Sequence, residues 1–306
     1  MRRRRQDLRA NAAKSSESNR IRTLLLLMSA RVSHYDLHCH STRSDGSMAP
    51  GAVIARAARR GVKAIALTDH DELSGLAEAR IAAAAAAIEL IDGVEISVTW
   101  DDDTLHVVGL RVDPLNETLI EALRVNRSGR NERAERIAAQ LERVGIAGAL
   151  EGARAYVTNP ELVSRTHFAR FLVDTGRGRN TQAVFERFLG EGRPGYVPHV
   201  WASLGDAVNR INAAGGFAVI AHPGRYKLSE ARREKLLRAF VDLGGTGIEV
   251  VTGSHSPDEF GYWARRAREF GLLGSVGSDF HGLQGCRDLG DLPPLPPGCA
   301  PVWDKF

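Results

Sequence analysis

Two histidines one residue apart, His38 and His40, close the short apolar run Tyr35-Asp36-Leu37, and Asp45 follows in a Gly/Ser turn. Alternate residues of a strand share a face, so both imidazoles can meet at one point while Cys39 turns away. This is how a protein offers ligands to a metal ion. The pattern recurs. Ala64-Ile65-Ala66-Leu67 ends in Thr68-Asp69-His70-Asp71, and Leu90-Ile91-Asp92-Gly93-Val94 ends in Glu95. Phe217 to Ala221 ends in His222, and Leu272 to Gly277 ends in Ser278-Asp279-Phe280-His281. His106 sits inside a further strand, Thr104 to Val112.

A single histidine at a strand end is more often structural than a ligand. Recurrence on successive strands is different, because buried ionisable groups rarely stand unpaired. His38, His40, Asp45, His70, Glu95, His106, His222, Asp279 and His281 are too many for one tetrahedral ion. They suit two or three divalent ions, Mn, Zn, Fe or Mg, with a carboxylate bridging a pair. The lack of thiolate ligands speaks against a structural zinc site. Clustered ions that share a water are built to hydrolyse phosphate esters, since they acidify that water and neutralise charge on the phosphoryl oxygens. His106 has an alternative as a half-buried core histidine. His34 reads as solvated, and His199 and His255 as surface loop residues.

The elements that must position these groups alternate. Helical stretches at Met48 to Arg60, with Ser47 as a candidate N-cap, and at Ser74 to Ile88 separate the first three strands. Strand and helix alternating at this spacing imply parallel pairing with right-handed crossovers, which puts every strand-end ligand on one rim. From 116 to 192 the strand pattern stops. Leu119 to Val144, Glu161 to Asp174 and Thr181 to Leu189 have helical period, which predicts an inserted helical subdomain. The rhythm resumes with helices at Leu204 to Ala214, Ser229 to Leu243 and Pro257 to Phe270, alternating with the His222, Gly247 to Thr252 and Asp279 strands. The division is therefore 34–115 with 193–290 for the α/β body, 116–192 for the insertion, and a Pro-rich tail at 291–306 expected to be extended and loosely packed.

At 306 residues, 43% hydrophobic and 25% charged, the chain has the composition of an ordinary soluble globular protein. Its net charge of +4 permits an anionic substrate without demanding one. Cys39, Cys286 and Cys299 are odd in number and far apart, so a reducing cytoplasm is the simplest setting. No apolar run approaches the roughly 18 to 20 residues that cross a bilayer. Residues 1–33, with Arg2 to Arg5 and a second methionine at Met28, read as a disordered extension or an over-extended start; Asp7 and Glu17 disfavour a transit peptide.

Taken together, His38-Cys39-His40 with Ser44-Asp45-Gly46, Thr68-Asp69-His70-Asp71, Gly93-Val94-Glu95-Ile96-Ser97, His222-Pro223 and Gly277-Ser278-Asp279-Phe280-His281 resemble the ordered motifs of the polymerase and histidinol phosphatase (PHP) superfamily. The resemblance covers about residues 35–290. Within it, the chain is most similar to 3',5'-nucleoside bisphosphate phosphatases of the ribonuclease AM type. Ile146 to Ala153, Ser164-Arg165-Thr166-His167-Phe168-Ala169-Arg170, Gly195-Tyr196-Val197-Pro198 and Ala221 to Tyr226 carry that likeness.

The resemblance implies a distorted (β/α)7 barrel of the TIM type with a helical insertion over its mouth. It also implies a ligand partition: His38, His40, Glu95 and Asp279 on one ion, Glu95 bridging to a second with His106 and His222, and Asp45, His70 and His281 on a third. Mn2+ is the expected metal. The implied reaction removes the 3'-phosphate of a nucleoside 3',5'-bisphosphate, with Asp45, His70, Glu95, His222 and Asp279 as the catalytic ligands. Trimming of 5'-phosphorylated RNA from the 5' end is an implied second activity.

Substrate choice needs cations beyond the metals, and Arg225, Arg165 and His167 are the candidates. Against this, Arg165 and Arg170 could lie along a helix surface with only their tips in water. Asp69 and Asp71 are expected to orient ligands from behind. Neither duplex DNA nor a membrane is expected as a partner, and the oligomeric state is left open. Two rival functions remain at this point: a PHP phosphatase of a small metabolite such as histidinol phosphate, and a non-catalytic metal-holding module.

Overall fold

The computed structural model describes residues 34–283 and 287–306 of the chain. The reading of residues 1–33 falls outside them. β1 (Tyr35–Asp36), α1 (Pro50–Arg59), β2 (Ala64–Leu67), α2 (Gly75–Ala86) and β3 (Glu89–Trp100) alternate, and β1, β2 and β3 pair in parallel. β2 is buried along its whole length, which is why it reads as an unbroken apolar run. Truncating Ile65 at its centre to alanine would cost about 2–5 kcal/mol. α1 differs from expectation at its start. Pro50 opens it without a side-chain cap, and Ser47 instead donates its N–H to His281 O at 2.8 Å.

Asp101 and Asp102, both left-handed at φ 50° and 71°, make the two-residue turn that sends β4 (Asp103–Leu110) back antiparallel against β3. Short polar side chains tolerate that backbone. Five helices follow: α3 (Glu117–Ser128), α4 (Arg130–Glu142), α5 (Ala149–Arg154), α6 (Arg165–Asp174) and α7 (Thr181–Val184), the last continuing as a π-turn over Phe185–Leu189. The single helical period over 119–144 is broken at Gly129. His199 packs so close there that a β-carbon would lie 2.4 Å from its Cε1. α4 to α7 enclose their own core of Ile137, Leu141, Phe168, Leu172 and Leu189.

β5 (Ala202–Ser203), α8 (Leu204–Ala213), β6 (Phe217–Ile220), α9 (Glu230–Asp242), β7 (Gly247–Thr252), α10 (Pro257–Glu269) and β8 (Leu273–Gly277) complete the body. β4 pairs antiparallel with β6, and β6, β7 and β8 run parallel. The segment after β1 then meets β8 and the residues beyond it, with Leu37 N–H on Val276 O and His40 N–H on Phe280 O, both at 2.9 Å. The sheet follows the order β1-β2-β3-β4-β6-β7-β8, with β5 off the path against β3. It is the nearly closed, distorted α/β barrel expected, with one strand reversed.

The tail departs from its expected looseness. Leu292 and Val302 are fully buried, Val302 among Leu37, Ala66 and Ile91 of the barrel, and Trp303 stacks on Tyr35 with ring centres 4.2 Å apart. These apolar residues need cover from water, and the tail supplies it. Among the described residues, no helix is long and apolar enough to cross a membrane.

Candidate metal centre

Glu95, 1% exposed in β3, is the hub. Its Oε1 lies 2.8 Å from His106 Nδ1, 3.0 Å from His222 Nε2 and 3.3 Å from His38 Nε2. Its Oε2 lies 2.9 Å from His70 Nδ1 and 3.3 Å from His40 Nε2. Asp279 Oδ1 stands 3.3 Å from His40 Nε2 and 3.6 Å from His38 Nε2. On the far side of His40, Asp45 Oδ1 is 3.2 Å from His281 Nε2 and 3.8 Å from His70 Nε2. All nine candidate ligands converge on one rim. Their donor atoms form overlapping groups: His40, Asp45, His70 and His281; His38, Glu95 and His222; His38, His40 and Asp279; and His70, Glu95 and His106.

The donor set fits divalent cations. His38 Nε2 and His40 Nε2 face each other at 3.1 Å. His70 Nδ1 and Glu95 Oε2 are 2.9 Å apart, yet neither has an aligned hydrogen-bond partner, and His40 Nδ1 and Asp45 Oδ1 are likewise buried and unpaired. Lone pairs aimed at common points rather than at donors are what cations would satisfy.

The electrostatics agree. Burial alone would raise the Glu95 carboxyl, but His106, His38 and His70 hold it well below its usual range. Asp45 is held low against burial by His281 and His70, and Asp279 by His281 and His38. Burial opposes charge on His40, yet hydrogen bonds with Asp279 and Glu95 push it up to about 10. Burial, then Arg225, pulls His222 down to about 3.

Three residues after strands, Asp71, His222 and Asp279, hold left-handed backbone at φ 51°, 29° and 54°. Each costs about 1–2 kcal/mol, which surrounding bonds must offset. Asp279 N–H donates to His38 O at 2.9 Å, and Asp71 N–H to Glu95 O at 2.9 Å.

Asp69 accepts from Ser41 N, Ser41 Oγ and Ser44 Oγ at 2.6–2.7 Å, and so shapes the loop that carries Asp45. Asp71 touches no ligand side chain among the described residues. It anchors the insertion instead, accepting from Asn126 Nδ2 at 2.8 Å, from Ser97 N at 3.1 Å and from Arg130.

Several contributors escaped sequence reasoning. Arg170 donates to Asp45 O, Gly46 O and His281 O at 2.6–3.2 Å, which ties two ligand loops to α6 and removes the surface alternative for this residue. Tyr226 Oη accepts His106 N–H and donates to Ala221 O, both at 2.9 Å. His255 is 3% exposed, not a surface residue. Its Nδ1 donates to Val250 O at 3.1 Å, so its Nε2 accepts Gly224 N–H at 2.9 Å. Glu249, the one charged residue of β7, lies against His38. That misfit in the β7 sequence was the available signal.

The cavity lined by seven of the nine ligands, all but His38 and His40, is also lined by Arg130, Arg133, Arg165, Arg225 and Trp201. Arg225, half exposed, places Nη1 2.7 Å from Asp279 Oδ2. Arg133 is buried, with Nε donating to Val197 O at 3.0 Å, and burial followed by Arg165 and Arg130 pushes it down to about 9. Arg165 lies over the Phe185 and Tyr196 rings, and Trp201 is flanked by Arg130 and Arg133. Positive charge crowded in this way calls for an anion.

His167 behaves differently from expectation. It is 1% exposed and its Nδ1 accepts Ser164 N–H at 3.0 Å, so it caps α6, while Ser164 and Thr166 line the cavity. His199 packs edge-on against Trp201 with ring centres 4.2 Å apart and planes at 63°. A roomier groove of about 840 Å³ between α3 and the His199–Ala202 segment holds none of the nine ligands and carries Glu117, Glu121 and Asp206. It is not the centre.

A PHP domain model matches residues 36–155. The 3',5'-nucleoside bisphosphate phosphatase of Chromobacterium violaceum is 50% identical over 90% of this chain and 97% of its own. The 5'-3' exoribonuclease Rnm of Escherichia coli is 41% identical over 89% of this chain and 93% of its own. Among solved structures, an amidohydrolase from Chromobacterium violaceum with bound sulfate and no metal superposes with a TM-score of 0.87 at 49% identity, over 89% of this chain and 95% of that one.

Proposed function

We propose, from the premise that this chain belongs to the PHP domain family, that it is a metal-dependent phosphoesterase that removes the 3'-phosphate of nucleoside 3',5'-bisphosphates. The observation that carries this reading is the convergence of five imidazoles on the single buried carboxylate Glu95. Its relatives bear names of phosphate-ester hydrolases, a 3',5'-nucleoside bisphosphate phosphatase and 5'-3' exoribonucleases.

His38, His40, Glu95 and Asp279 would hold one divalent ion, Glu95 with His106 and His222 a second, and Asp45, His70 and His281 a third. Mn2+ is the proposed metal. When bound, such ions acidify water and neutralise charge on the phosphoryl oxygens. Glu95 and Asp279, kept ionised by the imidazoles around them, supply the negative charge that holds the cations. Arg225 reaches the rim beside Asp279 and grips the 3'-phosphate. Arg133 and Arg165 take the 5'-phosphate in the same cavity, and the Phe185 and Trp201 rings exclude water around it. His167 contributes by setting the start of α6, which carries Arg165.

Cleavage of 5'-phosphorylated RNA one nucleotide at a time is the second reading. Both reactions hydrolyse a phosphate on a 3'-oxygen next to a recognised 5'-phosphate, and the arginines at one side of the site serve either.

The test compares adenosine 3',5'-bisphosphate with 5'-AMP in Mn2+. The reading expects phosphate from the first and almost none from the second. Equal turnover of the two would remove the bisphosphate assignment. A short 5'-phosphorylated RNA run alongside tests the second reading.

A further inference from the structure

Glu249 lies in β7 between Ile248 and Val250, the one charged residue of the strand, and is 1% exposed. A carboxylate is not left in such a place without partners. Oε1 is 2.7 Å from His38 Nδ1, and Oε2 accepts the main-chain N–H of His222 at 2.6 Å. No arginine or lysine pairs with it among the described residues. Gly277 makes the approach possible, since a β-carbon there would lie 2.3 Å from His38 Cβ and 2.9 Å from Glu249 Oε1.

Resting on the reading of His38 and His222 as metal ligands, we infer that Glu249 is a positioning residue that clasps these two ligands from behind, one through its ring and the other through its backbone. By accepting a hydrogen bond from His38 Nδ1–H, Glu249 Oε1 fixes the tautomer in which Nε2 presents its lone pair to the centre. By accepting the N–H of His222, it holds the left-handed residue two positions past β6 and aims that imidazole at Glu95 Oε1. The two bonds need two acceptor oxygens. A carboxylate has them, and a carboxamide has one.

The experiment measures Mn2+ binding by calorimetry, without substrate, for wild type, Glu249→Gln and Glu249→Asp, and records the 15N imidazole signals of metal-free protein at alkaline pH, where His38 is a neutral ring. The inference expects Glu249→Gln to bind Mn2+ about 10–100-fold more weakly. Its thermal midpoint without metal should stay near that of wild type, and the His38 signal should move from a single Nδ1–H tautomer to a mixture. Glu249→Asp, which keeps both oxygens, should recover part of the affinity. Wild-type affinity in Glu249→Gln with an unmoved His38 tautomer would overturn the inference. A wild type that binds no Mn2+ would overturn the reading beneath it as well.

Discussion

Arg170 Nη2 donates to the main-chain carbonyl of Asp45 at 2.6 Å, and the same nitrogen reaches His281 O at 3.1 Å. One guanidinium from the helical insertion thus holds both loops that bring Asp45 and His281 together. Removing it leaves those carbonyls without a charged donor and lets the loops separate. Arg170→Met should raise the Mn2+ concentration for half-maximal activity by about tenfold, consistent with lost support behind metal ligands. A Mn2+ titration of phosphate release checks this.

Arg133 and Arg165 are the cations proposed for the 5'-phosphate. Each offers a charge-assisted hydrogen bond of about 1.5–3 kcal/mol, so Arg133→Met or Arg165→Met should raise KM for adenosine 3',5'-bisphosphate by roughly 10–100-fold. Steady-state kinetics on adenosine 3'-monophosphate, which lacks the 5'-phosphate, should show almost no change in either variant. An equal loss on both substrates would assign the arginines to the fold rather than to the phosphate.

His167 gives the stability a pH dependence. Burial pulls its ring down to about 4, below the ordinary value of 6.5. As pH falls below 6.5 the unfolded chain takes up a proton that the folded chain refuses until about 4, so stability declines over that window. The loss reaches about 2 kcal/mol near pH 5. His167→Asn keeps an acceptor for Ser164 N–H but does not titrate there. Urea unfolding at pH 7 and pH 5 should show a smaller drop in the variant than in wild type.

His40, pushed up to about 10, carries a proton at neutral pH when no metal is bound, and Glu249, Glu95 and Asp279 raise His38 well above its usual range despite burial. A cation must expel those protons. Metal affinity should therefore rise with pH from neutrality toward about 10, with proton release on Mn2+ binding. Calorimetry in buffers of different ionisation enthalpy measures the number released. A pH-independent affinity without proton release would contradict the protonated imidazoles.

The α/β rhythm and the ligand set were readable because their causes are local. Strand burial writes an unbroken apolar run at Ala64–Leu67, and the strand-end residues His70, His222 and Asp279 follow such runs directly. The contributors that escaped act across long separations. Glu249 meets His38 211 residues away, and Arg170 meets Asp45 125 residues away, so no spacing in the chain links them. His167 was misread for a related reason. It sits in a motif beside the cavity, and only the packing of α6 shows that its Nδ1 is already committed to Ser164. The tail was misread because proline content reports the lack of N–H donors, not the apolar barrel residues that Val302 covers.

The most direct measurement is elemental analysis of active enzyme joined to phosphate release from adenosine 3',5'-bisphosphate before and after chelation. The account predicts two or three divalent ions per chain, loss of turnover when they are removed, and recovery when Mn2+ is restored. Full turnover by protein without stoichiometric metal would contradict it.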